Sequence, residues 1–174
     1  MPTQPLRIGH GYDLHRLEPT PPEGQGRPLI LGGVPIPHDR GPISHSDGDA
    51  LLHAVTDAML GAIGESDIGQ LFPDTDPEHL DADSEPFLGE AMRRVRSAGY
   101  ELANADITVI CERPKLGPHN QAIQANLARI IECHPDQVNL KAKTHERVDA
   151  VGEGRAIEVH AVVLLQQGLA PRAH

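Results

Sequence analysis

Between residues 46 and 63 apolar side chains recur every three or four positions: Leu51, Leu52, Val55, Met59, Ala62 and Ile63. That recurrence is the stripe of a core-facing helix. Ser46 or Asp47 stands just before it as the cap, where the first free N–H groups need an oxygen acceptor. A second helix is expected from Ser84, as cap, to Gly99, with Phe87, Leu88, Ala91, Met92 and Val95 inward. A third covers about residues 119–133, with Ile123, Leu127, Ile130 and Ile131 inward, and stops before His134-Pro135 because the residue preceding a proline avoids helical backbone angles.

The strands read differently. Residues 7–15 suggest a first strand that frays into a glycine-punctuated end, and residues 28–37 two short strands around Gly32-Gly33, a hairpin whose prolines suit an edge. Residues 105–111 are rich in β-branched side chains and 138–144 alternate. Residues 157–165 alternate and then become continuously apolar, as expected of a strand covered on both faces. Residues 20–26 form a surface turn, and the acidic connection from Asp67 to Asp83 lacks periodicity over a length at which loops are often functional. The expected fold is α/β (an α+β sandwich): a mixed β-sheet with about three helices packed on one face, plus a short N-terminal hairpin. A length of 174 residues fits a single domain, 1–174.

Composition changes this picture in two places. Aromatic residues make up only 2% of the chain, so the core rests on Leu, Ile, Val and Ala and would gain from assembly with other copies. The net charge of −10 argues against duplex nucleic acid or an anionic membrane as partner, since both attract basic surfaces. An anionic ligand would then need bound cations to offset the repulsion locally. The 17 glycines and 16 prolines cluster between periodic segments and read as turns. No stretch approaches the ~18 apolar residues of a membrane helix. Cys111 and Cys133 lack C-x-x-C spacing and no signal-peptide pattern opens the chain, which suggests a cytoplasmic protein with free thiols.

The candidate chemistry lies on the first helix. Asp49, His53 and Asp57 sit four apart on a stripe separate from the core-facing one, an imidazole between two carboxylates. A metal-binding histidine needs one ring nitrogen free and an acceptor to fix the other, and Asp57 is the expected acceptor. A solvated helix face is the ordinary reading of such a stripe, but the first strand alters it. There Asp13 and His15, two apart, project from one face. With His53 they make three N/O ligands with a fourth position open, the pattern of catalytic zinc. His10, of opposite parity, is expected to support the turn. The loop 112–118 offers free backbone groups and Lys115 to a planar or phosphorylated ligand, or serves only as a strand-to-helix turn. Thr144, His145 and Glu146 are three polar residues where a strand meets solvent. Patterning alone predicts a divalent-metal site in acidic surroundings and names no reaction.

Several longer motifs carry a resemblance. Gly9-His10-Gly11-Tyr12-Asp13-Leu14-His15 is the first, followed by His45-Ser46-Asp47-Gly48-Asp49 with His53-Ala54 and Asp57-Ala58. Asp67-Ile68-Gly69 with Phe72-Pro73-Asp74-Thr75-Asp76-Pro77, Arg113-Pro114-Lys115 and Lys143-Thr144-x-Glu146 complete the set. In this order, over residues 7–165, the chain resembles the 2-C-methyl-D-erythritol 2,4-cyclodiphosphate synthase family. The resemblance implies an enzyme of non-mevalonate isoprenoid synthesis that converts 4-diphosphocytidyl-2-C-methyl-D-erythritol 2-phosphate to the cyclic diphosphate and releases CMP. It assigns Asp13, His15 and His53 to Zn²⁺, one per chain, and Glu146 to a second divalent cation, Mg²⁺ or Mn²⁺. His45 and Thr144 match positions credited with steadying the transition state.

By the same resemblance Asp67 and Gly69 meet the methylerythritol part, and Phe72, Asp74 and Asp76 belong to a covering loop. Cys111, Pro114, Lys115, Leu116 and Gly117 form the cytosine pocket. Asp13, His15, His45, Ser46, Lys143, Thr144, His145 and Glu146 complete the substrate contacts; Asp57 and Asp49 are expected behind the metal ligands from the helix spacing alone. A homotrimer with active sites between chains is implied. Where the family has an arginine and then a glutamate near the end, this chain has Glu153 and then Arg155, so a trimer-axis pocket is not carried over. Two other readings fit the same metal ligands or pocket: a metal-dependent phosphohydrolase, which would activate water and release free phosphate, and a non-catalytic cytidine-nucleotide sensor.

Overall fold

Every second residue of the opening strand faces one helix, and two of those residues are glycine. In the computed structural model, which describes residues 5–44, 46–72 and 83–168, that strand is β1 (Arg7–Pro19). It pairs antiparallel with β7 (Ala156–Gln167) from Arg7 to Arg16, and its last three residues pair with β4 (Arg40–Pro42). The strand therefore continues past His15 where no fraying occurs, because partners on both sides take up its backbone groups. β7 also pairs antiparallel with β5 (Tyr100–Ile110), and β5 parallel with β6 (Val138–Lys143). The sheet order is β4-β1-β7-β5-β6. β2 (Ile30–Leu31) and β3 (Val34–Pro35) form the separate hairpin, turning through Gly32 at φ 60° and Gly33 at φ 73°. Positive angles at both central residues are what a tight hairpin turn demands.

Three longer helices cover one face of the sheet: α1 (Ala50–Ile63), α3 (Glu85–Ser97) and α4 (Asn120–Ile131). Two single-turn helices, α2 (Ile68–Leu71) and α5 (Asp149–Gly152), are additional. The cap of α1 is neither Ser46 nor Asp47 but Asp49, fully buried, whose carboxylate accepts from the N–H groups of Leu51 and Leu52 at 3.1 and 3.0 Å. The same carboxylate accepts from Gly32 and Gly33 at 2.9 and 2.7 Å, tying the hairpin to the helix start. Burial, aided by the charge of Asp47, pushes it up to about 6 against those backbone donors.

α1 lies on β1 backbone to backbone. A Cβ added at Gly11 would stand 1.8 Å from the carbonyl oxygen of Ala54, and one at Gly9 1.8 Å from that of Ala58. Around this contact one hydrophobic cluster unites Leu51, Val55 and Met59 with Leu88, Ile107, Ile123, Leu127 and Val159. Among the described residues none of the three longer helices covers the opposite face of the sheet. There β7 alternates throughout rather than being covered on both sides: Val162 is 44% exposed, beside Ile8 at 72%, Tyr12 at 46% and Leu14 at 49%. His10 sits on this open face, its Nε2 3.3 Å from His160 Nδ1, and supports no turn.

Candidate metal centre

After Gly9 and Gly11, the next residues of β1 on the helix side are Asp13 and His15. α1 runs back along the strand with Ala54 over Gly11, so His53 stands beyond it toward Asp13, and helical side chains lean toward the N-terminus. The three side chains meet. Asp13 Oδ2 lies 3.0 Å from His15 Nδ1 and 3.1 Å from His53 Nδ1, and the three ligand atoms fall within 4.8 Å of one another. The two imidazole centroids are 5.4 Å apart. Burial pushes the Asp13 carboxyl up, but hydrogen bonds and charge from His15 and His53 outweigh it and hold the group at about 2. Burial lowers His53, and the hydrogen bond and charge of Asp13, with Asp49 and Asp47 behind, raise it above its ordinary value.

The donor set fits a divalent cation. His15 Nδ1 is buried, and its close polar neighbour is Asp13 Oδ2 at 3.0 Å, so it points into the same small space as the carboxylate and His53. Two ring nitrogens and a carboxylate oxygen converging on one point are a three-ligand set for zinc or a similar ion. A cavity of about 210 Å³ opens beside them, walled by Ser46, Ile68, Gly69 and Phe72, with Phe72 stacked 4.5 Å from Phe87. Its size leaves room for a ligand group beside the three side chains.

The partner that fixes the second nitrogen of His53 is not Asp57. His53 Nε2 lies 2.9 Å from Ser84 Oγ, and Ser84 in turn donates to Asp47 Oδ1 at 2.5 Å. Asp57 accepts from the N–H of Ile68 at 2.8 Å and so starts α2, and Asp49, expected on the same polar stripe, is turned into the hairpin as described. By residue type Ser84 and Asp47 are helix caps. Only the fold brings them beside an imidazole.

A second cavity of about 430 Å³ gathers Cys111, Pro114, Lys115, Leu116, Gly117, Lys143 and Thr144 where β5 and β6 end. Among the described residues it shares no lining residue with the metal cavity. Burial and the charge of Glu112 push the Cys111 thiol up to about 11, and its Sγ donates to the carbonyl of Pro114 at 3.7 Å. Thr144 Oγ1 donates to Glu146 Oε1 at 2.9 Å, while His145 pairs through Nδ1 with Asp149 at 3.0 Å. Asp67 caps α2 by accepting from Gln70 N at 2.9 Å. His45, Asp74 and Asp76 lie outside the described residues.

Fold and site together define a class: α+β proteins whose metal centre sits where a strand passes under the first turn of a helix, with a separate cleft at the strand ends. The chain belongs to the YgbB family, which it matches over residues 6–166. It is 56% identical over 165 residues to the chloroplastic 2-C-methyl-D-erythritol 2,4-cyclodiphosphate synthase of Arabidopsis thaliana, an alignment spanning 95% of this chain and 69% of that one. To the synthase of the same name from Yersinia pestis (strain Pestoides F) it is 50% identical over 160 residues, 92% of this chain and 96% of the other. Among solved structures, a CDP complex of IspF from Plasmodium falciparum superposes with a TM-score of 0.83 at 36% identity, covering 95% of this chain and 99% of that one. The bifunctional IspDF of Campylobacter jejuni superposes with a TM-score of 0.87 at 40% identity, and there the match covers 95% of this chain but 43% of the longer one.

Proposed function

We propose that this single-domain chain is an enzyme, a 2-C-methyl-D-erythritol 2,4-cyclodiphosphate synthase. It converts 4-diphosphocytidyl-2-C-methyl-D-erythritol 2-phosphate to the cyclic diphosphate and CMP. The observation that carries this is the convergence of Asp13, His15 and His53 on one point beside a small cavity, in a chain half-identical to relatives of that name. Those three residues hold Zn²⁺, and Glu146 holds a second divalent cation, Mg²⁺ or Mn²⁺. Bound there, the cations supply positive charge that screens two phosphates from each other and polarises the phosphorus under attack.

The chain's own groups position the reaction. An oxygen of the substrate's 2-phosphate attacks the phosphorus next to the methylerythritol oxygen, and the bond to the CMP oxygen breaks in line, so no nucleophile or proton donor of the protein is consumed. His45 and Thr144 steady the charge that builds up on the phosphate oxygens. Ser46, Asp67, Gly69 and Phe72 meet the methylerythritol end, and the resemblance assigns Asp74 and Asp76 to substrate binding as well. Backbone groups from Cys111 to Gly117, with Lys115, Lys143 and His145, take the cytidine end.

A homotrimer with active sites between chains is part of the proposal. Two features support it: the uncovered apolar face at Ile8, Tyr12, Leu14 and Val162, and the separation of the metal cavity from the strand-end cavity. A cytoplasmic or other reducing location accords with the free thiols of Cys111 and Cys133.

Incubating the purified protein with the diphosphocytidyl substrate and following ³¹P signals tests the reading. Cyclic diphosphate together with CMP is expected. Free inorganic phosphate would assign a phosphohydrolase, and an unchanged substrate spectrum with measurable CMP binding a nucleotide sensor. Native mass measurement reads the trimer directly.

A further inference from the structure

A serine at the start of a helix ordinarily accepts an N–H of the helix's own first turn with its hydroxyl oxygen. Ser84 occupies that position on α3 and makes no such bond, although it is fully buried. The hydroxyl is engaged elsewhere, between His53 Nε2 at 2.9 Å and Asp47 Oδ1 at 2.5 Å. The other oxygen of Asp47 accepts the Ser84 backbone N–H at 2.9 Å, and Asp47 Oδ1 also accepts the N–H of Asp49 at 3.1 Å.

Proton directions follow from the inventory of each group. A carboxylate offers no proton, so the single hydroxyl proton of Ser84 goes to Asp47. The serine oxygen is then left to accept, and what it accepts is the Nε2–H of His53. With Nε2–H held by Ser84, the proton that a metal must displace is the one on Nδ1, the nitrogen that faces Asp13 Oδ2 at 3.1 Å. Ser84 thus has the two properties required of a group that readies a histidine for a metal: it fixes the tautomer, and it fixes the ring's rotation.

We propose that Ser84, backed by Asp47, is the positioning residue that makes His53 a metal ligand, and that α3 gives up its cap for this purpose. The inference rests on the metal reading of Asp13, His15 and His53. The three-residue string also ties the entry to α1 and the entry to α3 to the same imidazole, so the ring cannot turn without disturbing both helix starts.

The test is zinc affinity, measured by competition with a chromogenic chelator and without substrate. Wild-type protein is expected to bind one Zn²⁺ per chain, and Ser84→Ala and Asp47→Asn each to bind it roughly 10–100-fold more weakly while keeping the wild-type circular dichroism spectrum. A second measurement needs no variant. In zinc-loaded wild-type protein labelled with ¹⁵N-histidine, the Nε2–H of His53 should appear as a slowly exchanging resonance.

Wild-type zinc affinity in folded Ser84→Ala overturns the proposal and leaves the metal centre standing. Should that variant not fold, a wild-type spectrum without a protected Nε2–H on His53 overturns it equally. Failure of the wild-type protein to bind Zn²⁺ overturns the metal reading itself, and this inference with it.

Discussion

The carbonyl oxygen of Ala54 occupies nearly the place where a side chain on Gly11 would begin, 1.8 Å from that Cβ position. Because the obstacle is helix backbone, it cannot rotate away as a flexible side chain would. Gly11→Ala is therefore expected to cost at least about 3 kcal/mol, the upper end of overpacking penalties, and to push α1 off β1. Denaturant unfolding checks the cost, and zinc titration of any folded fraction should show weakened binding, since the same shift parts His53 from Asp13.

His53→Ala removes one of the three converging ligands. It is expected to abolish zinc retention after gel filtration, with elemental analysis as the measurement. Asp57→Ala, which unpins the N–H of Ile68 rather than the imidazole, should retain one zinc per chain. Full zinc occupancy in His53→Ala would refute the ligand assignment.

Zinc binding should strengthen with rising pH. Asp13, held at about 2, carries no proton at any pH above roughly 4 and does not compete. His53 does compete, because Asp13 raises it above its ordinary value and the metal must displace its proton. The sign for the metal-free protein is opposite. A raised imidazole contributes stability that is fully present below the unfolded value of about 6.5 and is lost as pH rises through the folded value. Calorimetric melting of metal-free protein should therefore fall from pH 6 toward pH 9 on account of this group, while zinc affinity climbs. Affinity that is flat across that range would contradict the coupling.

Thr144→Ala should reduce turnover while leaving zinc bound, because Thr144 lines the strand-end cavity and hydrogen-bonds Glu146, apart from the three converging ligands. Steady-state assay with parallel metal analysis separates the two effects. Unchanged turnover would make Thr144 a simple strand-end residue.

Cys111 is buried at 4% exposure and its thiol is pushed up to about 11, so little thiolate is present at neutral pH. Iodoacetamide at pH 8 is expected to leave Cys111 unmodified in the native protein and to alkylate it after unfolding, read by peptide mass.

The long elements were legible in the sequence because each carries a full period of its own. The apolar stripe of α1, the β-branched run of β5 and the paired glycines of the hairpin are local patterns, and the parity of Asp13 and His15 followed from strand geometry alone. The misses are of another kind. β4 is three residues long and exists only because β1 offers it a partner, and α2 and α5 are too short to show a period. Asp57 was matched to His53 by a correct rule about helix faces, yet the N–H of Ile68 claims it. By residue type Asp47 and Ser84 read as caps, whereas Asp49 reads as part of the polar stripe of α1. Which of them caps, and which serves the imidazole, depends on contacts between segments more than thirty residues apart, and no local pattern encodes those.

Asp49 shows where such dependence leads. One carboxylate grips the tip of the β2–β3 hairpin with one hand and the opening turn of α1 with the other, so a ribbon that supplies none of the three converging ligands acts as their anchor post. Lengthening or shortening that ribbon would be felt at the imidazole one turn further along the helix, through a part of the chain that never touches the ion.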